Sequence, residues 1–146
     1  MDEQALLEKA IEIAVRAHHA QKDRYGAPYI LHPLRVMGRL ETVAERIVGV
    51  LHDVVEDTTW TFADLAREGF PSSILEALQC VTKIEGEDYA DFVRRSAGNP
   101  LAKRVKLADL EDNMDLRRIP EISEKDRARL QKYVKAWKFL KATQDS

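Results

Sequence analysis

The chain reads as an all-α protein, and three observations predict it. Apolar residues recur at helical three-and-four spacing through most of its length. No stretch keeps the strict alternation of a half-buried strand. Helix-opening signals also recur: Ser or Thr followed three residues later by an acid, or Pro at a first turn. About seven helices joined by short loops are expected, in a single domain covering residues 1–146.

Leu6, Leu7, Ala10, Ile11, Ala14 and Ala17 predict an amphipathic helix over residues 3–20. The segment QKDRYGAPYILHP interrupts it, with Gly26, Pro28 and Pro33 marking a loop. Pro33 suits a first helical turn, so a second helix is expected from there to Leu40. Residues 43–56 predict a third, more buried helix. Thr61 with Asp64, and Ser73 with Glu76, have the spacing of capping boxes opening two more. Residues 87–97 and 100–118 predict two further helices, the second opened by Pro100. Ser123 with Asp126 opens a last helix, with Leu130, Tyr133, Val134, Trp137 and Leu140 on one face. Met1-Asp2 and Gln144–Ser146 are expected to fray.

Composition excludes several classes. The chain has 146 residues, 45% of them hydrophobic, enough to bury a core. A net charge of −2 gives no global basic field, so nucleic acid is not an expected partner. The single cysteine, Cys80, rules out an internal disulfide and fits a reducing compartment. No apolar run approaches the ~20 residues needed to span a bilayer, and no leader opens the chain. A cytoplasmic protein with no membrane partner is expected.

The chemistry concentrates in VGVLHDVVEDTTW, from Val48 to Trp60. An apolar run ends in His52-Asp53, and Glu56-Asp57 follows one turn later. Imidazole and carboxylate together suit a divalent transition metal. Adjacent residues on a helix point about 100° apart, so further ligands must come from other elements. His32, at a loop-to-helix junction in ILHPL, is one candidate. Asp109, behind apolar residues in VKLADLEDNMDL, is another. Glu56 lies four residues after His52 and shares its face if the helix continues. A carboxylate there can take a proton from an attacking water. Asn113 follows Asp109 by four residues and can hydrogen-bond a ribose or phosphate. Lys83 and Lys106 offer positive charge to phosphates. Arg24 and Tyr29 lie in the loop before His32. His18 and His19 read mainly as helix-surface residues, with His18 facing the site as the lesser alternative.

HHAQKDRYGAPYILHPLRV, GVLHDVVEDT, VTK and VKLADLEDNM resemble, in that order, the hydrolase domain of the RelA/SpoT alarmone family. Its stand-alone members are the small alarmone hydrolases, within the HD-domain metal-dependent phosphohydrolases. The resemblance spans residues 5–118 and implies an all-helical HD-domain bundle with a metal site between helices. It implies that His32, His52, Asp53 and Asp109 bind Mn²⁺, or another divalent transition metal. Glu56 and Asp57 would orient or deprotonate the attacking water. Arg24, Lys83, Lys106 and Asn113 would contact a small-molecule nucleotide. The implied reaction removes the 3′-pyrophosphate of (p)ppGpp, giving GDP or GTP and pyrophosphate.

Two departures from the family pattern bear on substrate. Asp23 stands where the family has an arginine that packs on guanine, and Arg24 where it has a lysine. After Asp109 the family commonly has a basic residue, an apolar residue and His or Tyr, whereas this chain has Leu110-Glu111-Asp112. The loop between Thr82 and Tyr89 carries the acids Glu85, Glu87 and Asp88, which disfavour an anionic ligand unless they face away. Alternatives therefore stand beside the alarmone reading. One is an HD phosphohydrolase for a deoxynucleoside monophosphate, an adenine alarmone or the 2′-phosphate of NADPH. Another is a nucleotide-binding module without turnover, and a third a purely structural helical protein. Nothing in the chain resembles the family's synthetase domain. The apolar face near Trp137 and Phe139 reads equally as core or as a self-association surface.

Overall fold

A computed structural model describes residues 2–144 of the chain. Among them are nine α-helices, one 3₁₀ turn and no strand beyond an isolated Lys22–Pro28 bridge. Met1, Asp145 and Ser146 lie outside the described residues, whereas Asp2 is ordered as the cap of the first helix.

α1 (Glu3–Ala17) begins where the Asp2 carboxylate accepts the Ala5 N–H. It stops three residues before the expected end, because the chain turns at Ala20 with φ of 69°. α2 (Leu31–Gly38) starts two residues before Pro33, which still sits in the first turn, where its missing N–H costs nothing. The expected 43–56 helix is interrupted. α3 (Val43–Leu51) opens on a Thr42–Glu45 capping box and ends before His52. α4 (Val54–Asp57) follows after Asp53 adopts φ −106°, ψ 1°, outside the helical basin.

α5 (Phe62–Arg67) has the Thr61–Asp64 capping box. α6 (Ser72–Cys80) does not use Ser73 and Glu76 as its box; Pro71 is its cap residue, and its carbonyl accepts the Ile74 and Leu75 N–H groups. α7 (Tyr89–Ala97) starts behind Asp88. α8 (Pro100–Asn113) is capped by the Asn99 side chain. It ends five residues earlier than expected, because Asp115 draws the chain into a 3₁₀ turn, Leu116–Arg118. α9 (Glu124–Ala142) carries the Ser123–Asp126 box. Its inward face uses Ala136 and Leu140, while Val134 is 40% exposed.

α3 is the central element and packs against α1, α2, α6 and α8. Val48, Val50 and Leu51 are fully buried, each stabilising the fold by roughly 1.5–3 kcal/mol. Gly49 packs against the end of α2 and the Leu40 side chain just beyond it: a Cβ there would lie 2.6 Å from Leu40 Cδ1 and 3.6 Å from Met37 Cα. A smaller cluster of Val93, Leu110, Ala136 and Leu140 joins α7, α8 and α9. Trp137 Nε1 donates to Glu111 at 3.0 Å, tying α9 to α8. α8 contributes to both clusters. The cleft that holds the ionisable residues opens between them. No helix among the described residues is long and apolar enough to cross a membrane.

Candidate metal centre and cleft

The interruption between α3 and α4 shapes the site. At the end of α3 the Gly49 carbonyl lies 2.6 Å from His52 Nδ1. A carbonyl only accepts, so Nδ1 carries the proton and Nε2 is free to face the cleft. His52 Nε2 is buried and makes no hydrogen bond, although it is 3.0 Å from Asp53 Oδ2 and 3.3 Å from Asp109 Oδ1. From the first turn of α2, His32 Nε2 lies 2.9 Å from Asp109 Oδ1 and 3.8 Å from Asp53 Oδ2. Its Nδ1 lies 2.6 Å from Asp112 Oδ2. His32, His52 and Asp109, from α2, the α3 end and α8, thus bring one ligand atom each within 4.8 Å of one another, while Asp53 Oδ2 stands beside both imidazoles and groups with Glu56 and Asp57.

The spacing of these donors fits a small divalent cation. Ligand bonds of roughly 2.1 Å at right angles place neighbouring donors ~3 Å apart. The four imidazole–carboxylate distances run from 2.9 to 3.8 Å, the shorter three falling near that spacing. The partnerless Nε2 of His52 and the outward anchoring of both Nδ1 atoms are what such an ion requires. Neutral imidazole with carboxylate suits manganese, iron or zinc, so the donors do not single out one metal.

Electrostatics in the cleft follow from crowding. Burial alone would lower His32, but hydrogen bonds to Asp109 and Asp112 outweigh it and raise its pKa. Burial likewise opposes the charged form of His52, and the Asp53 charge reverses that. Burial would raise Asp109, yet the Lys106 ammonium, 3.0 Å away, and the two imidazoles hold it well below the carboxylate range. Asp57 goes the other way. Burial and the charges of Asp53 and Glu56 raise it to about 6, in the range where a carboxylate can exchange protons near neutrality. Tyr29 donates its hydroxyl to Asp53 and lies 3.5 Å from Asp57 Oδ2. Burial and the Asp53 charge raise the Tyr29 phenol.

Around this centre lies a cleft of about 680 Å³. Every expected site residue lines it: His32, His52, Asp53 and Asp109; Glu56 and Asp57; Arg24, Lys83, Lys106 and Asn113. Glu56 accepts the Lys83 backbone N–H at 3.0 Å, which fixes its carboxylate beside Asp53 and Asp57. Asn113 Nδ2 donates to Asp109 Oδ1 at 3.1 Å, so its amide orients the acid as well as facing the cleft. His19 is exposed, but His18 is buried against the Tyr29 ring at 5.0 Å, contrary to a helix-surface position. Of the loop's acids, Glu87 and Asp88 line the cleft, and Glu87 is neutralised there by Arg95. Arg95 donates to both oxygens of Glu87 and to the Gln79 and Thr82 carbonyls, and Glu85 and Asp88 are exposed.

Several lining residues escaped sequence reasoning. Lys132, on α9, lies 4.4 Å from the Tyr89 ring centroid and faces Lys106, Arg24 and Lys83, whose charges, after burial, lower its pKa. Tyr133 also lines the cleft, and the Tyr89 hydroxyl is buried without a partner. Asp112 is fully buried, and Arg118 reaches the cleft from the 3₁₀ turn. The KYVKAW segment carries Lys132 at helical spacing beside two aromatics, a visible but unspecific signal. Asp112 stands out in sequence only as part of the departure after Asp109, and Arg118 not at all, because their partners are distant along the chain.

Comparison with known proteins places this arrangement. The chain is 32% identical over 123 residues to a guanosine-3′,5′-bis(diphosphate) 3′-pyrophosphohydrolase of Aquifex aeolicus, covering 74% of this chain and 17% of that protein. It is 36% identical over 121 residues to a GTP pyrophosphokinase of Streptomyces coelicolor, covering 74% and 14%. The solved structure of a metazoan ortholog of SpoT that hydrolyses ppGpp superposes with a TM-score of 0.74 at 25% identity, covering 96% of this chain and 88% of that one. The chain belongs to the RelA/SpoT-type HD-domain family. It spans less than a fifth of the length of these two curated relatives. No family model matches it. The RelA/SpoT-type resemblance read from the sequence and the all-helical HD architecture are thereby shown.

Proposed function

We propose that this RelA/SpoT-type chain is a metal-dependent phosphohydrolase, one HD-type hydrolase domain that removes the 3′-pyrophosphate of (p)ppGpp. The observation that carries the reading is the convergence of His32, His52, Asp53 and Asp109 at one end of a cleft rimmed by Arg24, Lys83, Lys106 and Lys132. Those four residues would hold Mn²⁺ or a related divalent ion. When bound, such an ion supplies Lewis acidity toward a phosphoryl oxygen and favours deprotonation of water.

The protein's own groups do the rest. Lys106, although engaged with Asp109, faces the cleft with Lys83 and Lys132, and together they draw in a polyphosphate. Asn113 and Arg24 orient the nucleoside. Asp57, raised to about 6, takes the proton of the attacking water, and Glu56, tethered by Lys83 N–H, holds that water in line. Tyr29 keeps Asp53 and Asp57 apart and oriented. The water oxygen bonds to the phosphorus carried by ribose O3′, the bond to O3′ breaks as O3′ takes up a proton from solvent, and GDP or GTP leaves with pyrophosphate.

One observation keeps a second substrate in view. Asp23, at the position of the family's base-packing arginine, is ion-paired to Arg118 and offers no guanidinium to a base. An HD phosphohydrolase for a deoxynucleoside monophosphate, an adenine alarmone or NADPH is therefore the rival. The test is product analysis by ion-exchange chromatography with Mn²⁺, with Asp53→Ala as control. Release of GDP and pyrophosphate from ppGpp, absent in the control, is expected. Turnover of one of the other nucleotides in place of ppGpp would overturn the substrate, and turnover of none would favour a binding module.

A further inference from the structure

We propose that Asp23, Arg118 and Asp112 form a positioning relay that couples the loop wall of the cleft to the candidate ligand His32. The proposal rests on the reading of His32 as a metal ligand. Both acids stand where the sequence departs from the family pattern, and the fold joins them through one arginine.

The links are short and directional. Asp112 is fully buried, and four nitrogens from three side chains surround its carboxylate. His32 Nδ1 lies 2.6 Å from Oδ2, Arg35 donates from Nε at 2.7 Å and Nη2 at 3.1 Å, and Arg118 Nη1 donates at 3.3 Å. Arg118 Nη1 also donates to the Asp112 carbonyl at 3.0 Å, which fixes the guanidinium on the end of α8. Its Nη2 reaches Asp23 Oδ2 at 3.3 Å. The other oxygen of Asp23 accepts the Tyr25 and Ala27 N–H groups at 2.9 and 3.0 Å. Asp23 thereby builds the tight turn, with Gly26 at φ 89°, that presents Arg24 to the cleft.

Each link constrains the next. An ionised carboxylate only accepts, so Asp112 keeps the His32 proton on Nδ1 and leaves Nε2 for a cation. Arg35 and Arg118 keep Asp112 ionised and immobile in a buried place where an unpaired acid would be costly. Arg118 makes the position of that acid depend on Asp23, and so on the turn that carries Arg24. A carboxylate buried at this cost is not explained by packing, since an apolar side chain fills such space more cheaply. The relay thus assigns a common purpose to the two departures.

Mn²⁺ titration of the metal-free protein by calorimetry tests this without reference to turnover. Asp112→Asn is expected to weaken Mn²⁺ binding by about 10–100-fold, the usual effect of losing a ligand's outer partner. In the same variant, the ¹⁵N signature of the His32 ring should show a smaller Nδ1-protonated fraction, because an amide oxygen is a weaker acceptor than a carboxylate. Asp23→Asn can still cap Tyr25 and Ala27, so it removes only the charge link to Arg118. It should weaken Mn²⁺ binding about threefold, as should Arg118→Met, and the double variant should be no weaker than Arg118→Met alone. Affinities within experimental error of wild type in both Asp23→Asn and Arg118→Met would overturn the relay, as would additive losses. Those two variants carry the test if Asp112→Asn fails to fold. A wild-type protein that takes up no Mn²⁺ would instead refute the metal reading itself.

Discussion

Replacing Asp109 by alanine should destabilise the metal-free protein, not merely silence it. From sequence, a ligand acid is expected to contribute chemistry more than packing. In the structure Asp109 accepts from Lys106 Nζ at 3.0 Å and Asn113 Nδ2 at 3.1 Å, and stands 2.9 Å from His32 Nε2. Lys106 is only 8% exposed, so Asp109→Ala leaves a buried ammonium with no acid beside it. Breaking such a pair from one side costs about 3–5 kcal/mol. Relief of repulsion with Asp53 offsets part of this, which places the net near ~3 kcal/mol. For a chain of this size that is a fall in Tm of roughly 6–12 °C. Thermal unfolding in chelator, with the Asp109→Ala/Lys106→Met double variant alongside, measures it. The double variant should be no less stable than Asp109→Ala, because the stranded charge is gone. A Tm unchanged in Asp109→Ala, or additive losses in the double variant, would refute the buried-charge argument.

Mn²⁺ at about a hundred times its dissociation constant should stabilise the wild type by ~2.7 kcal/mol. Differential scanning fluorimetry should show that rise, its reversal by chelator, and its absence in His52→Ala. Tyr29→Phe removes the donor to Asp53 and should lower kcat by about tenfold with little change in KM, read in steady-state kinetics on the substrate found. Glu87 is held at about 2 by its hydrogen bonds from Arg95, below its ordinary 4.5. Its folded pKa is depressed, so its contribution is complete above pH 4.5 and is lost as pH falls toward 2. Urea midpoints of wild type and Glu87→Gln should therefore converge on acidification through that window, and a constant difference would contradict the pairing.

Much of the site was legible because its residues have the right chemistry at the ends of apolar helices. His32, His52-Asp53 and Asp109 could each be marked that way, and the ordered resemblance joined them. The partners of those residues were not legible in the same way. Asp112 reads in sequence as one more acid on a polar helix face, yet it is fully buried. Arg118 reads as half of a basic pair, and only the 3₁₀ turn aims it at Asp23. Helix boundaries failed where a side chain redirected the backbone, as at Asp115, or where a proline carbonyl displaced an expected Ser–Glu box, as at Pro71. Propensity describes a segment, whereas these outcomes depend on contacts that form only after the helices pack.

The interruption at His52-Asp53 shows why the apolar run before it matters. On an unbroken helix the two side chains would diverge by about 100° and could not share one ion. The chain leaves helical geometry at Asp53, and the adjacent donors come to 3.0 Å. Departing from the helix there is tolerable because Val48, Val50, Leu51 and Val54 are buried on both sides of the break and hold the two segments in place. The Gly49 carbonyl, on the turn closely packed against α2, then sets the rotation of the His52 ring. Packing energy in α3 is in this way converted into the placement of two donors. A substitution that loosened the run without touching an ionisable group would weaken the centre by misplacing them.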